Sequence, residues 1–276
     1  MAKKRLDIVL VERNLMETRE KAKRSIMAGL VFSEQVRLDK PGVKVEEDIP
    51  LTVKGKLIPY VGRGGLKLEK ALNVFNIDLT NKTMVDVGSS TGGFTDCALQ
   101  NGAVKCYAVD VGYNQLDWKL RNDERVVVME RTNFRYVTPD MLQHGVPNIA
   151  TIDVSFISLK LILPVLKNLL EQNSDIVALI KPQFEAGREQ VGKKGIVREK
   201  ATHLHVLEKV IRFALDGGYQ LRALTYSPIT GGDGNIEFLA HFSWQDQQEK
   251  SISPDPSFLN AVVDEAHANF KALKNQ

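Results

Sequence analysis

Cysteine is scarce in this sequence, which has only Cys97 and Cys106 among its 276 residues. Two thiols are too few for a disulfide framework, and neither lies in a Cys/His spacing typical of a zinc site. We therefore interpret both as reduced, buried side chains and predict no metal centre.

Long apolar runs are also missing. No stretch approaches the roughly 18 apolar residues of a membrane span, and the first residues, MAKKRLDIVLVERNL, are basic but lack the apolar core of a signal peptide. These features predict a cytoplasmic protein without a membrane partner.

Positive charge is concentrated near the start of the chain. Lys and Arg exceed Asp and Glu by only 37 to 34 overall, whereas residues 1–60 contain thirteen against nine. Such an excess on a small segment suits a polyanionic partner, because contact with phosphates releases counterions. A solvated basic face has the same composition, so charge alone leaves both interpretations open.

The first fifty residues show helical and then strand-like spacing. Apolar residues recur at helical intervals over residues 6–10, and the hydroxyl of Thr18 can cap a second helix that ends at Gly29. With the short strand-like runs of residues 30–53, they predict a small α+β domain over residues 1–59. The second helix carries four cations that cannot all face a core.

The same segment resembles the RNA-binding domain that a small-subunit ribosomal protein shares with many pseudouridine synthases. The matching strings are Arg5-Leu6-Asp7, Thr18-Arg19, Gly29-Leu30-Val31, Lys40-Pro41 and Asp48-Ile49. One departure is Phe32-Ser-Glu-Gln-Val36, where the family commonly has Val-x-Val-Asn-Gly at a hairpin tip. The resemblance implies an RNA partner, with candidate contacts at Arg5, Arg19, Lys21, Lys23, Arg24 and Arg63.

A glycine-bearing linker is predicted at residues 60–65, and strand-like runs alternate with helix-like runs after it. The predicted strands cover residues 84–87, 104–109, 126–129, 149–153, 176–180, 220–226 and 236–242. The last two flank the turn at residues 231–234 without a helix between them, so we expect an antiparallel pair. Five strands with crossovers and a closing hairpin predict a seven-stranded, Rossmann-like α/β methyltransferase domain over residues 66–276.

The strongest motif is the glycine-rich segment 86–94, which follows a predicted strand and opens a helix. A dinucleotide fingerprint would need Gly at Ser90, and a P-loop would need Lys followed by Ser or Thr where Phe94 and Thr95 stand. Asp110, at the end of the next strand, can accept both hydroxyls of a ribose. We predict S-adenosyl-L-methionine as the cofactor, with candidate contacts at Asp86, Gly88, Ser89, Ser90, Thr91, Gly92, Gly93, Phe94, Asp110, Asp153 and Phe156.

Two of these residues carry particular expectations. Asp86 occupies the place that methyltransferases use near the methionine part of the cofactor. Phe156 is expected to shape the pocket around the methyl donor, with plain packing as the alternative. For the motif as a whole, the alternative is a structural strand-to-helix turn.

Charged residues stand at the ends of further elements. Asp153 ends the fourth predicted strand, Lys181 follows the fifth, Glu237 begins the last, and Lys67 lies near the start of the helix after the linker. The stretch from Asp153 to Phe156 lacks the Asn/Asp-Pro-Pro-aromatic pattern of enzymes that methylate exocyclic amines, and no cysteine nucleophile for carbon methylation accompanies it. The order Lys67, Asp153, Lys181, Glu237 resembles that of FtsJ-type ribose 2′-O-methyltransferases.

Nearly the whole chain resembles the TlyA family of ribosomal RNA methyltransferases, which are often labelled hemolysins. The resemblance implies methyl transfer to a ribose 2′-hydroxyl, that of cytidine, in ribosomal RNA or ribosomal subunits. Lys181 is then the candidate base, and Lys67 the nearby cation that favours a neutral amine. Asp153 and Glu237 would orient the two amines, although they also favour their charged forms.

Two other functions are alternatives, and the first of them has no signal peptide, membrane span or strongly amphipathic basic helix to support it. A membrane-active hemolysin is suggested by the family's label, and a non-catalytic RNA-binding protein would also carry the N-terminal domain. Each of the four charged residues, taken alone, is more often part of a salt bridge than a catalyst. Their joint placement at the ends of separate elements favours the enzyme.

Overall fold

The computed structural model describes residues 3–27, 29–54, 58–244 and 255–274. Contacts between Cα atoms divide the chain into two compact units, residues 1–63 and residues 64–276. The division falls inside the segment 60–65 for which the sequence predicts a linker, and the last residue of that segment, Gly65, already belongs to a helix. In the described ranges, no helix combines the length and the hydropathy that crossing a membrane requires.

The first unit is the predicted small α+β fold. Its elements are β1 (Lys3–Arg5), α1 (Leu6–Glu12), α2 (Arg19–Met27), β2 (Val31–Ser33), β3 (Val36–Arg37), β4 (Lys44–Glu46) and β5 (Thr52–Val53). Strand β1 pairs antiparallel with β4, and β2 pairs antiparallel with both β3 and β5. The two helices bury Leu6, Leu10, Ala22 and Ile26 against these strands.

The local signals at the ends of α2 act as the sequence predicts. The hydroxyl oxygen of Thr18 accepts a hydrogen bond from the backbone N–H of Lys21 at 3.2 Å, which satisfies one free donor of the first turn. Beyond the helix, Gly29 has a φ of +72°, a left-handed conformation that suits glycine.

The second unit has a central sheet with helices on both faces. Its strands are β6 (Thr83–Val87), β7 (Lys105–Val109), β8 (Val126–Met129), β9 (Ile149–Ile152), β10 (Ser174–Ile180), β11 (Tyr219–Tyr226) and β12 (Phe238–Trp244). Its helices are α3 (Gly65–Phe75), α4 (Gly93–Gln100), α5 (Trp118–Arg121), α6 (Leu163–Leu166), α7 (Pro182–Glu185), α8 (Lys200–Asp216) and α9 (Pro256–Lys274).

The strand order in this sheet is β11-β12-β10-β9-β6-β7-β8. The five strands from β10 to β8 are parallel, and β12 runs antiparallel to both of its neighbours. The predicted seven-stranded methyltransferase fold with a closing antiparallel pair is therefore confirmed. Predicted and observed strand ends differ by no more than two residues.

This topology brings several loops to one edge of the sheet. The carboxyl ends of β6, β7, β9 and β10 lie there. Strand β7 pairs with one side of β6 and β9 pairs with the other, so the strand order reverses at β6. Doubly wound sheets bind ligands in the crevice that such a reversal opens. Strand β12 begins at the same edge, because its first residue, Phe238, pairs with the last residue of β10, Ile180.

Candidate active site

The structure brings together the four charged residues that the sequence singles out. Lys67 Nζ lies 2.8 Å from Glu237 Oε2 and 3.5 Å from Asp153 Oδ2. Lys181 Nζ lies 2.5 Å from the other oxygen of the same carboxylate, Asp153 Oδ1. It also donates a hydrogen bond to the hydroxyl of Ser155 at 3.0 Å. Asp153 therefore bridges the two lysines.

Each member of this cluster is held at the end of a regular element. Lys67 lies in the first turn of α3, Asp153 follows β9 directly, and Lys181 follows β10 directly. Glu237 immediately precedes β12, whose register with β10 places it beside Lys181 along the sheet edge. The cluster thus depends on the backbone framework rather than on long mobile loops.

The cluster is open on one side. Lys67, Lys181 and Glu237 are 7%, 8% and 2% exposed, whereas the side chain of Asp153 is 19% exposed and Ser155 lies at the surface. A substrate would therefore reach Asp153 and Ser155 first, whereas the two lysines are equally buried, with 9% of each side chain exposed. Burial opposes ionisation of Asp153, but the charges of Lys67 and Lys181 outweigh it and hold the pKa of Asp153 below its usual value.

Sequence reasoning missed two polar contacts in this cluster. The side-chain amide of Gln183 donates to Glu237 Oε1 at 3.3 Å, on the oxygen that Lys67 does not use. The carbonyl oxygen of that amide is buried and has no hydrogen-bond partner among the residues that the structure describes. Ser155, the acceptor for Lys181, was the second. The spacings Asp153 to Ser155 and Lys181 to Gln183 are the only signals in the sequence, and they acquire meaning only after folding.

The glycine turn after β6 lies against the end of β9. Gly88 has a φ of +87°, and a Cβ at this position would lie 2.6 Å from the backbone oxygen of Asp153. Only glycine permits both the conformation and the close approach. The turn therefore forms one wall of the crevice that also contains the charged cluster.

Asp110 lies at the carboxyl end of β7, beside this turn. Its Oδ2 accepts the backbone N–H of Ser90 at 2.8 Å, and its Oδ1 accepts that of Gly112 at 2.7 Å. The side chain is half-buried. Each carboxylate oxygen can accept a second hydrogen bond, so the residue can hold two hydroxyls of a ribose, as S-adenosylmethionine requires.

The other predicted cofactor contacts fall into two groups. Gly88, Ser90 and Thr91 are accessible along the crevice. The buried ones are Ser89, Gly92, Gly93 and Phe94. At Gly92 the reason is packing, since a Cβ there would lie 2.2 Å from Leu120 Cδ1.

Asp86 does not have the position expected for a direct cofactor contact. Its side chain has no exposed surface. Its oxygens accept the hydroxyls of Thr95 at 2.7 Å and Thr151 at 2.9 Å, beneath the turn. Burial raises the pKa of Asp86 to about 6, against the opposing effect of those two hydrogen bonds. In strand β6 this side chain points into the fold, a direction that the motif alone did not predict.

Phe156 neither packs in the core nor lines an enclosed pocket, which were the two expectations from the sequence. Its side chain is 90% exposed, and its φ of +63° is uncommon for a residue other than glycine. The only described ring near it is that of Phe184, with the centroids 4.9 Å apart. An aromatic ring therefore projects from the open side of the cluster.

The predicted RNA contacts of the first unit are mostly engaged within the chain. Arg5 and Arg19 both pair with the buried carboxylate of Asp7, at 3.0 and 2.9 Å. Together they lower the pKa of Asp7 to about 2. Arg24 donates to the backbone oxygens of residues 58 and 60 and so anchors that segment.

The remaining candidates are more accessible. Lys21 pairs with Glu17 one helical turn away, and Lys23 pairs with Glu20 at 2.7 Å. Both pairs are on the surface, where such interactions contribute little and exchange readily. Arg63 is exposed. These three residues can meet a phosphate without disturbing the fold, and the RNA contact itself stays a prediction.

Known proteins share both units of this chain. Residues 60–244 match the model of the FtsJ-like methyltransferases, and residues 4–48 match that of the S4 domain. A Bacillus subtilis protein named "Putative rRNA methyltransferase YqxC" is 63% identical over 99% of this chain and 97% of its own length. The 16S/23S rRNA (cytidine-2′-O)-methyltransferase TlyA of Mycobacterium tuberculosis is 40% identical over 90% of this chain and 92% of its own.

A solved structure is similar over the whole chain. It is described as a putative hemolysin from Streptococcus thermophilus, has 52% sequence identity and a TM-score of 0.80, and covers 100% of both chains. The resemblance seen in the sequence motifs is confirmed by these matches. The chain belongs to the FtsJ-like methyltransferases that carry an S4 domain, the TlyA family.

Proposed function

We propose that this protein transfers a methyl group from S-adenosylmethionine to a ribose 2′-hydroxyl of ribosomal RNA. The observation that carries the proposal is the cluster of two lysines and two carboxylates at the sheet edge, next to the glycine turn. Its most accessible member, Asp153, lies at the open side, where Lys181 contacts both Asp153 and the exposed Ser155.

The reaction needs help with one proton. A ribose 2′-hydroxyl is a weak nucleophile at neutral pH, so its proton must be removed or strongly polarised as the oxygen attacks. Bound S-adenosylmethionine supplies an electrophilic methyl group on a sulfonium centre. With that cofactor bound, the hydroxyl oxygen would bond to the methyl carbon as the carbon–sulfur bond breaks, and a neutral Lys181 amine would accept the hydroxyl proton.

The other three charged residues keep this amine in place. Asp153 contacts both lysines and so orients Lys181 toward the open side. Lys67 balances the buried charge of Glu237, and Gln183 holds the second oxygen of that carboxylate. In the resting cluster, with both lysines charged, two cations and two anions leave no net charge, which lets it remain intact in a largely buried place. Lys181 has to give up a proton from this state before it can accept the one from the hydroxyl.

The cofactor is proposed to lie along the crevice between the ends of β6, β7 and β9. Asp110 would hold its ribose hydroxyls, and the backbone of residues 88–91 would lie against it. The exposed ring of Phe156 offers a flat apolar surface beside the cluster, of the kind on which unpaired bases stack. A nucleotide substrate suits that arrangement.

The proposal that the partner is ribosomal RNA is supported by the first unit and by the names of the relatives. S4 domains and a basic surface suit RNA, and the names of the relatives specify ribosomal RNA and, for the mycobacterial protein, cytidine. A ribosomal substrate also places the activity in the cytoplasm.

The test is methylation of ribosomal subunits taken from cells that lack this protein. With labelled S-adenosylmethionine, the wild-type chain should modify RNA at a site that becomes resistant to alkaline cleavage, because a 2′-O-methyl group removes the hydroxyl that cleavage needs. Lys181→Arg should fail, whereas Lys200→Arg, at an exposed ion pair on α8, should be active. Label on a base, or normal transfer by Lys181→Arg, would contradict the proposal.

A further inference from the structure

The segment between β9 and the turn at Leu159–Leu161 carries two residues of the site, and its backbone conformation there is strained. It carries Ser155, the acceptor for Lys181, and Phe156, which has a left-handed backbone and a 90% exposed ring. A residue other than glycine is strained in that region and keeps the conformation only where surrounding contacts hold it. The exposed ring gains little from burial, so other contacts must hold the segment.

Glu185 provides those contacts from the end of α7. Its carboxylate is only 5% exposed. Oε1 accepts the backbone N–H of Leu159 at 2.7 Å, and Oε2 accepts the hydroxyl of Ser158 at 2.7 Å. Its own backbone oxygen accepts Lys209 Nζ of α8 at 2.9 Å, which fixes α7 to the longer helix. Both carboxylate oxygens are therefore used on the segment that carries Ser155 and Phe156.

Segments 153–159 and 181–185 are joined at successive points. Lys181 contacts Asp153 and Ser155 at one end, and the ring of Phe184 lies against that of Phe156 in the middle. Glu185 closes the other end. Loss of this last contact would remove both hydrogen bonds at the end of the segment farthest from Lys181.

Packing alone would not favour a carboxylic acid at position 185. Burial raises the pKa of Glu185 in spite of its two hydrogen bonds, because a buried carboxylate loses its hydration. An apolar side chain of similar length would avoid that cost. Unlike an apolar group, the carboxylate has two acceptor oxygens at a fixed spacing, and they bind the Ser158 hydroxyl and the Leu159 N–H.

We propose that Glu185 is a positioning residue for methyl transfer, which fixes segment 153–159 against α7 so that Ser155 and Phe156 stand where the ribose substrate needs them. The inference rests on the proposed function, since it concerns placement of that substrate. It predicts that Glu185 acts through the segment and not through the cofactor.

The test compares two replacements of nearly equal size. In Glu185→Gln the amide oxygen can accept the Leu159 N–H while the amide nitrogen donates to Ser158, whose hydroxyl also accepts. Glu185→Met keeps the volume and removes both contacts. Misplacement of a reacting group by about 1 Å can cost about 100-fold, so we expect single-turnover transfer to fall at least about tenfold in the Met variant. The Gln variant should recover most of that loss.

Three further measurements separate positioning from general damage. Affinity for S-adenosylmethionine, measured by calorimetry, should be within about twofold of wild type in both variants, since neither touches Asp110. Tyr219→Phe, which removes a buried hydrogen bond to Leu163 far from the site, is the matched control and should lower the unfolding temperature without slowing transfer. In a Ser155→Ala/Phe156→Ala background, Glu185→Met should have almost no additional effect.

Several results would overturn the proposal. These are a normal rate in Glu185→Met, a Gln variant as slow as the Met variant, or losses that multiply in the Ser155→Ala/Phe156→Ala background. If the Met variant does not fold, Ser158→Ala removes one of the two contacts from the other partner, and a normal rate there overturns the proposal equally. Failure of the wild-type chain to methylate ribose would instead refute the proposed function.

Discussion

Replacing Lys67 by methionine should destabilise the second unit much more than the usual loss of a lysine. Glu237 is 2% exposed and has Lys67 as its ionic partner at 2.8 Å. Of its partners among the described residues, the buried carboxylate in the variant keeps the amide of Gln183 at 3.3 Å, whereas Asp153 still has Lys181. Removing one member of a buried ion pair costs about 3–5 kcal/mol, because the other charge is left uncompensated.

That free energy corresponds to a large thermal shift. In domains of about 150–250 residues, 1 kcal/mol changes the unfolding temperature by about 2–4 °C, so Lys67→Met should lower it by about 6–20 °C. Circular dichroism on heating measures the temperature. A urea titration on the same protein gives the free energy of unfolding.

Two controls separate burial from loss of charge. Lys200→Met breaks the pair with Asp264, whose two side chains are 55% and 62% exposed, and should change the free energy by no more than about 1 kcal/mol. Lys67→Met combined with Glu237→Gln leaves no unpaired charge and should recover most of the loss. A single variant as stable as wild type, or a double variant as unstable as the single one, would refute this reasoning. Slow methyl transfer by a Lys67 variant would therefore not by itself identify a catalytic role.

Four other perturbations test the site and the RNA surface. Lys181→Arg keeps a cation that cannot act as a neutral base, so the rate of single-turnover transfer should fall by about 10²–10⁴ while cofactor affinity is unchanged. A near-normal rate would mean that Lys181 has a structural role. Asp110→Ala should weaken S-adenosylmethionine binding several-fold by calorimetry; equal affinity would remove Asp110 from the site. Because the pKa of Asp86 is raised to about 6, the folded chain binds an extra proton between pH of about 4 and 6, and its stability should fall as pH rises through that window. Asp86→Asn should abolish that decrease in urea titrations, and a parallel pH profile would contradict the assignment. Lys21→Gln with Lys23→Gln should flatten the salt dependence of RNA binding, and an identical slope would make these lysines a solvated face.

The architecture could be predicted because its signals are local and repeated. Apolar runs of strand length at the right spacing indicated all seven strands of the large sheet. The same reasoning predicted the charged cluster, since the carboxyl ends of parallel strands meet at one edge and Asp153 and Lys181 each follow such a strand. The glycine-rich turn at residues 231–234, with no helix beside it, predicted the closing antiparallel pair. That pairing in turn predicted that Glu237 lies at the same edge.

What the sequence did not predict depends on the direction of single side chains. Asp86 and Asp110 both follow or end a strand, yet one is sealed under the turn by Thr95 and Thr151 and the other opens to the crevice. Phe156 carries no pattern that distinguishes an exposed ring from a packed one. Buried contacts such as those of Glu185 join residues 26 or more positions apart, and spacing alone does not indicate them.

The basic helix α2 shows the same limit. The pairing of Lys21 with Glu17 and of Lys23 with Glu20 follows from helical spacing and can be anticipated. The engagement of Arg19 by Asp7 and of Arg24 by distant backbone oxygens is a tertiary feature. A count of cations therefore overestimates how many are available to RNA.

The antiparallel start of β12 makes the site sensitive to insertions and deletions. Nearly every residue of β12 is buried, and a shift of one position along β10 would exchange its two faces, bringing His241 and Ser243 to the side that Phe238, Ala240 and Phe242 now occupy. Glu237 would not tolerate it, because successive residues of a strand face opposite sides and its carboxylate would turn away from Lys67. A change of one residue in the turn before β12 that shifts its register should therefore move Glu237 away from Lys67 and also destabilise the second unit.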